Sequence, residues 1–377
     1  MDRQIGPAGQ LLVLYVHVTL GHAHRARIHA LDRQPGMRCR GVQLAERELT
    51  RGAEALGDFE DQADTLLAGI YEHHPRRTVI SSAVRYIRSQ AATAVIFDGP
   101  ADAAQYLIGW LLQRSGIAVF VRWASTREDY PRKVWKEFLK RPIYSRWDGY
   151  LATGTRAQSY LETFGVEPRR VFVCGNPVDT GAVWSARPAV LAEREPRFLF
   201  VGRFIWHKNL PGLLDAYERY RAQGGTWELD LAGAPIGSLG SLVTERARSL
   251  PGVRVLGHLQ KTEIAALYWR AGCLVLPSLS ENWGLVVNEA MNAELPLIVS
   301  ERCGCVPELV RSGENGFVVD PANPAELAWA MARIEELGPD ARAAMGARSQ
   351  QLVAPQSLER WAVCAREALL QGLAGRR

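Results

Sequence analysis

Nowhere in the 377-residue chain is there a run of about 18 uncharged apolar residues, so no membrane-spanning helix is expected. The apolar stretch after Gln10 stops at Gly21-His22-Ala23-His24-Arg25. It leads into basic sequence with no small-residue cleavage site, so it does not read as a secretory signal. A cytoplasmic protein is expected, with any membrane contact peripheral and at the inner face. Cysteine is scarce as well: Cys39, Cys174, Cys273, Cys303, Cys305 and Cys364 form no C-x2-C pair, which argues against a zinc site. They read as reduced thiols, with Cys303-Gly304-Cys305 as a glycine turn rather than a metal site. Charge of one sign is lacking too, since 45 basic and 40 acidic residues leave +5. That balance is too slight and too mixed for a nucleic-acid binder, and suits anionic small molecules or a weak membrane contact. An apolar share of 47% with 23% charged residues is ordinary for globular chains and excludes disorder.

What is present is alternation. Short β-rich runs at Phe198–Val201, Leu229–Leu231, Val253–Leu256, Cys273–Leu276, Pro296–Val299 and Phe317–Val319 are separated by helical segments, one carrying Leu210, Leu213, Leu214 and Tyr217 on a single face. Strand and helix in turn predict a parallel sheet covered on both faces. The first half repeats the pattern more faintly at 11–18, 39–44, 94–97, 118–121, 149–152 and 170–174. Two doubly wound α/β lobes are therefore expected, 1–180 and 197–355, joined by a proline-bracketed, poorly periodic linker at 181–196. A last helix within 356–377, capped by Ser357 with Leu358, Trp361, Ala365 and Leu369 on one stripe, is expected to pack back on the first lobe.

Ligands of open α/β sheets bind beyond the carboxyl ends of the strands, and two such places carry chemistry here. After Phe198–Val201 comes Gly202-Arg203-Phe-Ile-Trp-His207-Lys208, two fixed cations on a loop entering a helix, a combination suited to a diphosphate. An exposed Arg and Lys are also ordinary loop residues. After Cys273–Leu276 comes Pro277-Ser-Leu-Ser-Glu281-Asn-Trp283-Gly284-Leu285-Val-Val-Asn-Glu289. Gly284 lets backbone amides approach a ligand, Trp283 offers a flat wall, and a carboxylate one turn into a helix can accept from a ribose diol. The helix dipole alone also favours a carboxylate there.

Together, Arg203 and Lys208 after Gly202, Gly233-Ala-Pro-Ile236, Pro277-Ser278, the Glu281-x7-Glu289 spacing, Gly304 with Glu308, and Gly313-Glu-Asn-Gly316-Phe317 resemble the donor half of retaining glycosyltransferase family 4. The resemblance implies a GT-B fold: two Rossmann-like doubly wound parallel-sheet domains facing a cleft. It also implies a nucleoside-diphosphate sugar as co-substrate, with no cofactor. Arg203 and Lys208 would lie on the diphosphate, Glu289 on the ribose, and Glu281 with the amides of Trp283, Gly284 and Leu285 on the transferred sugar and its phosphate. His258 would neighbour the base, or be a polar loop residue. In the first lobe, Leu20-Gly21-x-x-His24-x-Ala26-Arg27, Ser125-Thr126-x-x-Asp129-x-x-Arg132 and Asn176-Pro-Val-Asp179 look like a bacterial branch that makes surface or exopolysaccharide glycans. That implies an acceptor side formed by Gly21, His24, Arg27, Ser125, Asp129 and Arg132. His24 and Arg27, three apart on one helix face, could meet an acceptor or simply lie at the surface.

The sequence also departs from that family. No glycine-rich loop follows the first strand, and Arg122-Trp123 stands where many relatives have a histidine. A polyprenyl-linked acceptor would suit the basic, Trp-rich segment around Arg141, Arg146 and Trp147, and a glycan or small-molecule acceptor would suit the altered loop. No Asp-x-Asp follows an apolar strand, so a metal-free mechanism is expected, with fixed cations stabilising the leaving diphosphate. Retention is implied by the resemblance. Asp98 and Asp129 are the first-lobe carboxylates that could serve an inverting reaction instead. A nucleotide-sugar epimerase or hydrolase of the same fold, and a non-catalytic nucleotide-sugar binder, are the competing readings.

Overall fold

The computed structural model describes residues 10–49, 63–99, 102–129, 141–181, 183, 186–188 and 194–376. Two compact units emerge. One takes the chain up to Ser125, the segment ending at Asp179 and the C-terminal segment from Ser357; the other takes Thr180–Gln356 and a short stretch beginning at Thr126.

In the first unit the order is β1 (Leu11–His17), α1 (His22–Asp32), β2 (Met37–Gln43), β3 (Ala63–Thr65), α2 (Arg76–Ser89), β4 (Ala94–Asp98), α3 (Ala103–Arg114), β5 (Ala118–Trp123), β6 (Gly149–Ala152), α4 (Thr155–Thr163) and β7 (Val171–Val173). The seven strands pair in the order β3-β2-β1-β4-β5-β6-β7, and every pairing is parallel. β4, β5 and β6 are buried along their whole length, as expected of a sheet covered on both faces. β3 is a short edge strand absent from the sequence reading: its three residues, Ala-Asp-Thr, are half-buried or exposed and carry no apolar run.

The second unit runs β8 (Arg197–Val201), α5 (Leu210–Ala222), β9 (Glu228–Ala232), α6 (Gly237–Ser249), β10 (Val253–Gly257), α7 (Lys261–Arg270), β11 (Cys273–Leu276), α8 (Leu285–Asn292), β12 (Leu297–Ser300), α9 (Val306–Leu309), β13 (Gly316–Val319), α10 (Pro324–Glu336) and α11 (Pro339–Val353). Its strand order is β10-β9-β8-β11-β12-β13. In both sheets the order reverses beside the first strand, between β1 and β4 and between β8 and β11, and such a reversal opens a crevice at the carboxyl ends.

The last helix, α12 (Leu358–Ala374), begins where the Ser357 side chain accepts from the Arg360 amide. It lays Trp361, Ala362, Ala365, Ala368 and Leu369 into the core formed by Tyr15, Ala94 and Phe120 of the first unit. Cys364 on this helix is disulfide-bonded to Cys174, just beyond β7, 190 residues away. The expectation of six reduced thiols is thereby corrected: folding brings two cysteines within bonding distance that spacing alone cannot pair. The other four are free and buried.

Cross-linking a long loop removes entropy from the unfolded chain, and losing such a bridge typically costs about 2–5 kcal/mol. Non-reducing peptide mapping should therefore recover a Cys174–Cys364 linked peptide. Cys364→Ser should lower the unfolding free energy of the first unit by about that amount. Protein purified without reductant that yields only alkylated Cys174 and Cys364 would contradict the pairing.

Candidate active site

At the reversal point of the second sheet, two loops face each other across β8 and β11. Beyond β8 the chain makes a short 3-10 turn, Trp206–Lys208, ended by Asn209 in the left-handed region. The Leu279 amide, in the loop beyond β11, donates to the His207 carbonyl at 2.8 Å. That link carries the two loops together, and Lys208 Nζ donates to a Glu281 carboxylate oxygen. The two side chains are only 14% and 18% exposed, so the pair is drawn out of bulk water, where an ion pair is stronger than at an open surface. Burial and the neighbouring Lys208 cation push the His207 pKa down.

Glu281 is held from behind by the Cys303-Gly304-Cys305 turn. The Gly304 amide donates to the Glu281 carbonyl at 2.9 Å and the Cys305 amide to the Trp283 carbonyl at 3.1 Å. A Cβ on Gly304 would lie 2.0 Å from the Asn282 carbonyl oxygen, so only glycine fits. Gly284, with φ of 100°, then opens α8. Glu289 lies on that helix and accepts from the Tyr268 hydroxyl of α7 at 2.8 Å. Burial pushes the Glu289 pKa up, against the hydrogen bond from Tyr268, and pushes the Tyr268 hydroxyl well above its usual value. Tyr268 was missed in the sequence because it looks like one more apolar residue on an amphipathic helix.

Trp283 is not the flat wall the sequence suggested. Its side chain is 3% exposed, within the main core of the unit, and its indole donates to Asn288 Oδ1 at 2.8 Å. It anchors the loop to α8. Arg203 and His258 are exposed, Arg203 directly after Gly202 and His258 directly after β10. Leu285 is the first residue of α8.

Asp129 groups with this second unit rather than with the first. Its carboxylate accepts from the Thr126 amide at 2.8 Å and the Thr126 hydroxyl at 2.7 Å, and the Ser280 hydroxyl donates to its backbone carbonyl. With its amide nitrogen turned toward them, Asn282 donates to both Asp129 carboxylate oxygens at 3.1 Å. So buttressed, this carboxylate is a structural acceptor. Ser280 and Asn282 were not singled out by sequence. Ser125 is half-buried, and its carbonyl accepts from the Trp123 indole at 2.9 Å. Arg132 lies outside the described residues.

In the first unit, Gly21, His24 and Arg27 stand at the carboxyl end of β1, but His24 and Arg27 do not face outward. His24 is 8% exposed and Arg27 2%, which corrects the reading of them as surface residues. The Gly21 amide donates to His24 Nδ1 at 2.9 Å. The ring proton therefore sits on Nε2, 3.3 Å from Asp98 Oδ2. Asp98 also receives Tyr15 at 2.5 Å and Arg122 Nη1 at 2.5 Å, with Arg27 Nη1 at 3.8 Å. Asn176 Oδ1 accepts from Arg27 and Arg122, each at 2.6 Å. Arg122, His24 and Arg27, acting in that order against the cost of burial, hold the Asp98 carboxyl far below the usual carboxylate range. Both of its oxygens are engaged, one by Arg122 and the other by Tyr15 and His24.

Among the described residues no group of three His, Cys, Asp or Glu side chains could hold a metal ion, and no helix is long and apolar enough to cross a membrane.

Comparison with known proteins places this geometry. A glycosyltransferase from Rickettsia africae superposes with a TM-score of 0.76 at 16% identity, covering 97% of this chain and 99% of that one. The Anabaena protein HepE, in complex with UDP and glucose, gives 0.75 at 15% identity over 96% of this chain and 100% of the other. The fold is GT-B. Residues 185–352 match the family Glycosyl transferases group 1, a match that spans most of the second unit. Over 178 residues the chain is 34% identical to a glycogen synthase of Mycobacterium tuberculosis. Over 215 residues it is 29% identical to a D-inositol 3-phosphate glycosyltransferase of Acidothermus cellulolyticus. The matches span 41% and 47% of those relatives, less than half of their length.

Removing one member of a buried ion cluster strands the others and costs about 3–5 kcal/mol. Asp98 has its folded pKa lowered, so its contribution is present above the unfolded carboxyl value of about 3.9 and is lost as pH falls below it. Asp98→Asn should thus destabilise by about 3–5 kcal/mol at pH 7, and the gap to wild type should narrow at pH 3, both read from urea unfolding. A gap that widens in acid would exclude the cluster as described.

Proposed function

We propose that the chain is a glycosyltransferase that moves a sugar from a nucleoside-diphosphate sugar to a glycan, polyprenyl-linked or small-molecule acceptor. The transfer retains anomeric configuration and needs no metal, as in the family 4 branch that builds surface polysaccharides. The observation that carries the reading is the Lys208–Glu281 pair at the reversal point of the second sheet, with Arg203 on the same loop as Lys208 and Glu289 on the helix that follows Glu281. In support, HepE is solved with UDP-glucose, and the segment similar to group 1 glycosyltransferases contains all four residues.

In this reading, Lys208 and Arg203 take up the negative charge that grows on the departing diphosphate, which is where fixed cations speed the reaction most. The amides opening α8 add partial positive charge. Tyr268 occupies one oxygen of Glu289, leaving the other to accept from a ribose hydroxyl. Retention follows if the acceptor attacks on the face the diphosphate leaves, with that phosphate taking the acceptor's proton. A cytoplasmic location at the inner face of the membrane belongs to the same proposal. The Cys174–Cys364 bridge stands against it, since cytosolic disulfides are uncommon.

Lys208→Ala should lower kcat by roughly 100–1000-fold while KM changes little. Glu289→Gln should weaken donor and free nucleoside diphosphate alike, whereas Glu281→Gln should slow transfer and spare nucleoside diphosphate binding. Activity should survive EDTA, and the product's anomeric proton coupling should match the donor's. Near-normal turnover in Lys208→Ala would remove the diphosphate assignment, inversion would remove the retaining mechanism, and EDTA loss restored by manganese would remove the metal-free one.

A further inference from the structure

The first unit has a second concave site, away from the crevice at β1 and β4. It lies at the amino ends of β6 and β7, where the last turn of α12 passes over the sheet. The cavity holds about 410 Å³, and its walls carry Arg146, Arg169, Arg170 and Arg376 against a single carboxylate, Asp148, with Gln371 beside them. Gly372 and Gly375 also line it, so the helix end contributes backbone rather than side-chain bulk. Ligand pockets in general fall between about 300 and 1,000 Å³.

Two of the guanidinium groups are held in place partly by backbone carbonyls. Arg170 donates to the carbonyls of Ser145 at 3.2 Å and Trp147 at 3.4 Å, with its Nε 3.7 Å from the Glu167 carboxylate that it shares with Arg169. Arg376 donates to the Gly116 carbonyl at 3.0 Å and pairs with Asp148 at 2.8 Å. Asp148 is itself fixed, accepting from the Val119 amide at 2.7 Å and from Gln113 at 2.9 Å. Carbonyls orient a guanidinium without cancelling its charge. Arg169 is exposed and pairs at the surface with Glu167, and Arg146 is exposed. Four cations thus stand against one wall carboxylate and one rim carboxylate, around a space that could seat a small molecule. Planar guanidinium forks match phosphate oxygens two at a time.

We propose that this cavity is a binding site for a phosphate or diphosphate group, carried by a soluble phosphorylated molecule or a lipid headgroup. The test uses inorganic pyrophosphate in calorimetry at low salt, in an Arg203→Ala/Lys208→Ala background so that the proposed donor site does not contribute. Saturable binding of one pyrophosphate per chain is expected, weakened about tenfold or more by adding Arg146→Ala/Arg169→Ala, two exposed positions whose loss leaves the fold intact. Sedimentation with phosphatidylglycerol but not phosphatidylcholine vesicles, lost in the same variant, would identify a headgroup. Pyrophosphate binding without vesicle sedimentation would identify a soluble phosphorylated ligand. No saturable binding in the background protein, or unchanged affinity after the Arg146 and Arg169 substitutions, would overturn the site.

Discussion

A backbone contact with no room for a side chain sets the geometry of the second unit's reversal point. Where Gly304 meets the Asn282 carbonyl, a Cβ would lie at 2.0 Å, and this approach lets two amides of the Cys-Gly-Cys turn seize the carbonyls of Glu281 and Trp283. The loop so fixed is also tied to the β8 turn through Leu279 and His207. Glu281 and Lys208 therefore come together from opposite sides of the sheet reversal without either side chain having to order the backbone. Trp283 extends the constraint into α8 by bonding Asn288, which sets the helix that carries Glu289. A site held on this many backbone bonds loses little entropy when a ligand arrives.

The first unit has the same reversal of strand order but fills it differently. Arg27 and Arg122 are buried there around Asp98, with Tyr15, His24 and Asn176 completing the shell. Taking two guanidiniums out of water is costly, and the attraction to one carboxylate offsets it only because further hydrogen bonds engage the charged groups. The return is geometric: α1, β1, β4, β5 and the segment after β7 are all pinned to one point. His24 and Arg27, which the sequence offered as acceptor-side residues, help to hold the unit together.

How much of this could be read from sequence follows from which interactions are local. Strands buried on both faces appear as apolar runs, so most of both sheets was legible; β3 was not, because three half-buried or exposed residues leave no pattern. The charged residues beyond β8 and β11 were legible for a similar reason, since strand ends are where such sheets bind ligands. Pairings across long separations were not. Lys208 and Glu281 are 73 residues apart, Arg27 and Asn176 149, and the disulfide partners 190. Residue type misled where burial depends on a distant partner: an arginine on a helix reads as surface, and a tryptophan beside a glycine reads as a ligand wall, until Asp98 and Asn288 are seen to engage them.

The Lys208–Glu281 pair bears on how an anionic donor would be received in the proposed function. An ammonium only 14% exposed and without a partner would carry a desolvation cost, and Glu281 removes it. A diphosphate carries more negative charge than one carboxylate and attracts the same ammonium more strongly at equal distance. Binding then exchanges one partner of Lys208 for another and never leaves the cation bare. Under that proposal Glu281, released from the ammonium while its backbone stays held by Gly304, would become an acceptor for sugar hydroxyls at the place where the bond to phosphate breaks. The same pair thus reconciles a site that is stable without donor with one that has a cation ready when the diphosphate begins to leave.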